Sequence, residues 1–137
     1  MSQLEATRFM LDTNIISHIM QGRDAALLAK LSFKPMGSVV ISSVTLAELE
    51  YGLHRKGRPA RLLNALDQVL LRMEVLPWDE QVAQCYGELC ATLEARGINL
   101  SDLDMMISAH AVTVDATLVS RDKAFGKAPD RLRVEVW

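Results

Sequence analysis

Apolar and polar positions along this chain alternate between two rhythms. Short runs rich in branched residues, RFML (8–11), SVVIS (38–42), MEVL (73–76), ATLVS (116–120) and LRVEV (132–136), are too short for helices and read as strands. Between them the apolar residues take helical spacing. Leu62, Leu63, Leu66, Val69 and Leu70 share one helical stripe after Pro59. Val82, Tyr86, Leu89, Cys90 and Leu93 form another ahead of EARG, where Arg96 and Gly97 supply a stop signal. Leu103, Met106, Ile107 and His110 mark a third, and Leu27, Leu28 and Leu31 a further helix after Gly22. Strands alternating with helices imply right-handed crossovers and a sheet covered on both faces. The predicted fold is α/β: a three-layer α/β/α sandwich around a central, mainly parallel sheet of about five strands.

Composition narrows this picture without redirecting it. At 137 residues, with no linker, repeat or composition break, the chain reads as a single domain over residues 1–137. Aromatic residues make up only 5% of it, which argues against binding by ring stacking. Cys85 and Cys90 stand about 140° apart around a helix, with no histidine near enough in sequence to complete a zinc motif, and read as reduced core or near-core residues. The start, MSQLEATRF, lacks the basic and apolar regions of a signal peptide, and no apolar run is long enough to span a membrane. The expectation is a soluble, cytoplasmic protein. Apolar residues on the helices after Gly22 and Pro59 exceed what packing on a sheet needs, which suggests a homodimer face.

The formal charge of -2 argues against a protein that coats nucleic acid nonspecifically, though not against one that grips it locally. The densest basic stretch is HRKGRPAR (54–61), carrying Arg55, Lys56, Arg58 and Arg61; it is either a solvated loop or a phosphate contact. A second basic group, Arg121, Lys123, Lys127, Arg131 and Arg133, gathers near the C-terminus.

The acidic residues change the picture most. In an open parallel sheet, ligands bind beyond the carboxyl ends of the strands. Asp12 directly follows the first strand, Glu48 sits in the helix after the second, Asp104 opens a helix in NLSDLDMMISAHA, and Asp122 follows the fourth strand. Each has a local explanation. Thr45-x-x-Glu48 and Ser101-x-x-Asp104 match capping boxes, and Asp12 and Asp122 suit N-caps. Taken together, all four fall on one edge, and converging carboxylates demand a proton or a cation. An all-oxygen cluster suits Mg²⁺ or Mn²⁺ rather than zinc, and such clusters serve metal-assisted phosphodiester hydrolysis. Asn14 and Ser43 are neighbours able to orient a carboxylate or a water, with turn or cap roles equally open. Asp102 competes with Asp104 for the third position and reads as a first-turn dipole residue; His110 reads as a core histidine.

MLDTNI, ISSVTLAELEYG, DMMISAHA, LVSRDKAF and the terminal LRVEVW, in this order and across nearly the whole chain, resemble the PIN-domain ribonucleases, in particular the VapC-type toxins of type II toxin-antitoxin pairs. The resemblance implies a Mg²⁺- or Mn²⁺-dependent endoribonuclease in which Asp12, Glu48 and Asp104 match the family's acidic triad and Asp122 a fourth acidic position. It further implies a homodimer that cuts structured RNA, tRNA or rRNA, and is silenced by a VapB-type antitoxin. DNA is then met only indirectly, through the antitoxin, and Arg55, Lys56, Arg58 and Arg61 become candidates for RNA contact.

Two other α/β domains, one of them a signalling module, compete less well. A receiver domain needs a phosphoacceptor at the third strand, which Asp79 imitates, but also a lysine after a fifth strand, where this chain stops at Trp137. Haloacid dehalogenase phosphatases need Asp-x-Asp after the first strand, and here that third position is Asn14. The alternative from a different class is a catalytically silent binding module whose acidic pocket holds a basic partner segment. Divalent-metal binding discriminates the two.

Overall fold

The computed structural model describes residues 7–127 and 131–137. Strand β1 (Arg8–Leu11) leads into helices α1 (Thr13–Gln21) and α2 (Ala25–Ser32), and β2 (Val39–Ser42) into α3 (Ser43–Arg55) and α4 (Ala60–Leu70). Strand β3 (Glu74–Leu76) precedes α5 (Glu80–Ala95) and α6 (Asp102–Thr113). The last strands are β4 (Ala116–Val119) and β5 (Val134–Glu135), separated by a 3-10 turn at Lys123–Lys127. All pairings are parallel, in the order β3-β2-β1-β4-β5. The expected three-layer sandwich is therefore present, with β5 shorter than the LRVEV run suggested. Of the MSQLEATRF segment, residues 1–6 lie outside the described residues.

Alternation along the strands feeds two separate cores. Phe9, Leu11, Val39, Ile41 and Val119 face α1 to α4, meeting Ile15, Ile16, Leu27, Leu31, Leu49, Leu66 and Val69. Met10, Val40 and Leu118 face the other way, onto Ile107 and Ala111 of α6. Helix α5 packs outside α6, joining Val82, Leu89 and Leu93 to Met105 and Ala109. Because both faces are covered, β2 and β4 are buried throughout and β1 is buried from Phe9 onward, as a parallel sheet requires. The apolar excess read on α2 and α4 is largely absorbed here: Leu27, Leu31, Leu66 and Val69 are buried within the chain's own core, leaving Leu28, Leu63 and Leu70 half-buried.

Helix ends follow their local chemistry. Gly22, at φ 69°, adopts the left-handed conformation that ends α1 and sends its N–H to the carbonyls of His18 and Ile19. Gly97, also at φ 69°, closes α5 after Arg96 as the EARG stop signal predicts. The capping box expected at Thr45-x-x-Glu48 does not form. Helix α3 starts earlier, capped by Ser42, whose Oγ accepts from Val44 N–H at 3.1 Å, and Thr45 is buried with no partner for its hydroxyl among the described residues.

The topology positions the site. From β1 the chain winds out through β2 to β3, then returns to lay β4 on the opposite side of β1. The winding direction thus reverses between β1 and β4, and the connections leaving these two strands diverge at their carboxyl ends. The Asp12 N–H donates to the Val119 carbonyl at 3.1 Å, so the residues ending β1 and β4 are locked side by side at this switch point.

Candidate active site

Three aspartates reach the switch point from three elements. Asp12 ends β1 and caps α1, its Oδ1 accepting from Ile15 N–H at 2.9 Å. Asp122 follows β4; its Oδ1 accepts from Ala124 N–H at 2.8 Å, and its own N–H donates to Ser120 Oγ at 3.0 Å. Asp104 lies in the first turn of α6, its N–H donating to the cap Ser101 Oγ at 3.2 Å. The caps foreseen for Asp12 and Asp122 are real, and each occupies one carboxylate oxygen while leaving the second uncommitted to the helix.

These groups sense one another. Burial pushes the Asp12 carboxyl above its ordinary value, and the charges of Asp122 and Asp104 add to the rise; the Ser120 hydroxyl and the Ile15 N–H pull the other way. Asp12 is only 6% exposed, so water does little to screen the repulsion. Asp104 is raised too, by burial first and then by Asp122. Glu48 stands apart: its Oε1 accepts a 2.6 Å hydrogen bond from Thr13 Oγ1, which ties α3 to the first turn of α1. Among the described residues, no three histidine, cysteine or acidic side chains already close into a ligand shell. What this donor set offers is oxygen alone, with like charges held close on a rigid edge. A hard divalent cation such as Mg²⁺ or Mn²⁺ fits that chemistry, because it would offset both the burial that first lifts Asp12 and Asp104 and the like charges that add to it.

The remaining candidates separate. Asn14 is exposed and shares a depression of about 210 Å³ with Asp122 and Arg121. Ser43 Oγ accepts from Trp78 N–H at 3.0 Å, joining the start of α3 to the segment after β3. Asp102 is exposed in the first turn of α6. His110 is a core residue, its Nδ1 2.7 Å from Ser42 Oγ, and burial lowers its pKa. In the basic stretch, Arg58 pairs with Glu50 and His54, and Arg55 lies over the Tyr51 ring. Lys56 and Arg61 instead line a cleft of about 580 Å³ that also contains Thr13 and Glu48. Two neighbours of the acids escaped the sequence reading, Thr13 and Ser120. Their only signal was adjacency, in LDTN and VSRD, to residues already singled out.

The model of the PIN domain family matches residues 9–131. Ribonuclease VapC2 of Rickettsia felis is 32% identical over 131 residues, 94% of this chain and 97% of the relative. The chain belongs to the PIN-domain family, among the VapC ribonucleases. A second VapC relative, the tRNA(fMet)-specific endonuclease VapC of Shigella flexneri, is 32% identical over 130 residues, 95% of this chain and 98% of that protein. The PIN fold aligns with the crystal structure of DNA-bound VapBC from Salmonella typhimurium at a TM-score of 0.88, with 30% identity, covering 96% of this chain and 98% of that one.

Proposed function

We propose that this VapC-class ribonuclease is a divalent-metal-dependent endonuclease that hydrolyses a phosphodiester bond in structured RNA, with tRNA as the favoured substrate class. The observation that carries the reading is the switch-point edge, where burial and the charges of Asp122 and Asp104 lift the Asp12 carboxyl. A relative of nearly equal length named as a tRNA(fMet)-specific endonuclease supports the RNA class.

Asp12, Asp104 and Asp122 would hold Mg²⁺ or Mn²⁺, with Glu48 completing the acidic set. Bound there, the cation would supply charge neutralisation at the scissile phosphate and acidify an attacking water. The chain's own contribution is placement. The cap bond from Ile15 fixes Asp12, the bonds to Ala124 and Ser120 fix Asp122, and the Thr13 hydroxyl fixes one oxygen of Glu48. Asn14, which lines one depression with Asp122, would orient a carboxylate or a water.

A VapB-type antitoxin belongs to the same reading, supported by the Salmonella VapBC complex on DNA; contact with DNA would then run through the antitoxin. Homodimer formation is supported by the half-buried Leu28, Leu63 and Leu70 and by Leu71, which is 74% exposed. No helix among the described residues is long and apolar enough to cross a membrane, and we place the activity in the cytoplasm with its RNA.

The test is cleavage of a total tRNA and rRNA pool by antitoxin-free protein in Mg²⁺ or Mn²⁺, repeated in EDTA. Discrete, metal-dependent fragments are expected. Folded protein that binds Mn²⁺ yet leaves every RNA intact would overturn the reading.

A further inference from the structure

The basic stretch after α3 divides in the fold, and the division creates a surface that a linear reading merges. Arg55 and Arg58 are engaged locally, with Tyr51 and with Glu50 and His54. Lys56 and Arg61 turn into the cleft between α1, α3 and α4, where Arg23, from the connection between α1 and α2, joins them. Among the described residues, none of these three cations pairs with a carboxylate. The cleft thus carries three cations against one acid, Glu48. Glu48 is bonded to Thr13, the residue immediately after Asp12, so the cleft runs up to the acidic edge. Its volume, about 580 Å³, lies well within the range of about 300–1,000 Å³ typical of ligand pockets, and Met20 and Leu62 give it an apolar wall.

We propose that this cleft is a subsite for the RNA strand flanking the scissile phosphate, with Arg23, Lys56 and Arg61 binding its phosphodiester oxygens and the Met20–Leu62 wall receiving a sugar or base. This rests on the ribonuclease reading. A polyanion needs cations beside the acidic edge, because the carboxylates there repel its backbone. A basic peptide would meet repulsion from the same three side chains, so charge complementarity favours nucleic acid over a basic protein segment.

The test measures binding of the tRNA pool by the full chain in EDTA, against salt concentration, for the wild type and three variants. Arg23→Gln/Lys56→Gln/Arg61→Gln should weaken binding and flatten the slope of log K against log salt by about 2, since each single-strand phosphate contact contributes about 0.7. Gly52→Leu gives an independent arm. Gly52 lines the cleft on α3 and an added Cβ meets nothing within 4 Å, so the position has room for a larger side chain at the cleft while the three cations stay in place; a melting curve checks that the variant is folded. Gly52→Leu should raise KM for cleavage with little change in kcat. The third variant, Arg55→Gln/Arg58→Gln, should flatten the slope less than the triple variant. An unchanged slope in the folded triple variant, or a larger loss from the Arg55/Arg58 pair, overturns the subsite. So does a triple variant that binds RNA normally but fails to bind an acidic peptide that the wild type retains. Cleft-dependent binding without any cleavage would sink the nuclease reading and leave the subsite standing; cleavage indifferent to the cleft would do the reverse.

Discussion

Helices α1 and α2 each begin with an aspartate whose Oδ1 accepts the N–H three residues on, Asp12 from Ile15 at 2.9 Å and Asp24 from Leu27 at 3.0 Å. The cap is the same and the electrostatics are opposite. Asp24 lies at the surface, its Oδ2 2.7 Å from the Arg121 guanidinium, and this pairing, with the Leu27 bond, holds its carboxyl below the ordinary value. Asp12 is buried among like charges, and its carboxyl is pushed up. A cap bond accounts for a helix start; it does not account for an acid kept beside two other acids. At Asp12 burial and like charge both act against the ionised form, the perturbation expected of a candidate functional site, whereas at Asp24 a cation favours that form.

The sharpest way to break this comparison is the same substitution at both caps. Asn caps nearly as well as Asp, so neither helix start should be lost. Asp12→Asn is expected to lower RNA cleavage by about 10³-fold or more, the scale of losing a group that holds a catalytic cation. In EDTA its Tm should be maintained or raised, with each kcal/mol of relieved repulsion worth about 2–4 °C. Asp24→Asn should cut RNA at about the wild-type rate. Equal cleavage by folded Asp12→Asn and Asp24→Asn would erase the distinction.

A smaller effect is expected one residue further on. If Glu48 serves the proposed site, Thr13 would act through it by their hydrogen bond, so Thr13→Val should cost about tenfold in kcat, and Thr13→Ser, which keeps the hydroxyl, should restore most of it. A Thr13→Val enzyme with unchanged kcat, or a Ser variant as slow as Val, would reduce the bond to a structural tie between α1 and α3.

The mildest effects are on stability against pH, and they carry defined signs. His110 has a folded pKa below the usual 6.5, so below that value the unfolded chain takes up a proton that the native state refuses. Stability should fall as pH drops from 6.5 toward the folded value, and His110→Gln should flatten that slope. Asp24, with its lowered pKa, contributes stability that is present above its ordinary value of 3.8 and is lost as pH falls through the folded value. The Tm difference between wild type and Asp24→Asn should therefore be largest near neutrality, shrink in acid and shrink in salt. A difference that persists at pH 2 would assign it to packing.

Much of this was legible in one dimension, for stated reasons. Branched runs bounded by turn residues locate strands because a strand buried on both faces tolerates little else; the extent was overestimated by one residue at each of β2, β3 and β4 and most at β5, where LRVEV yields only Val134–Glu135. The edge position of Asp12, Asp104 and Asp122 was legible because each lies within three residues of a strand end or in the first turn of a helix, where topology dictates which edge it occupies. Glu48 was harder. Thr45-x-x-Glu48 imitates a capping box, and only burial of Thr45 and capping by Ser42 exclude it.

The sequence by itself thus determined the layered architecture, the edge on which the acids lie and the caps at Asp12, Ser101 and Asp122, since all of these follow from period, turn chemistry and neighbouring residues. The tertiary structure alone decided which charges meet. It set Asp24 against Arg121, 97 positions away, and left Asp12 facing Asp104 and Asp122. It joined Thr13 to Glu48 across 35 positions and divided a continuous basic run into outward and cleft-facing halves. Electrostatic interaction depends on distance and on the surrounding medium, and neither is encoded in the order of residues until the chain has folded.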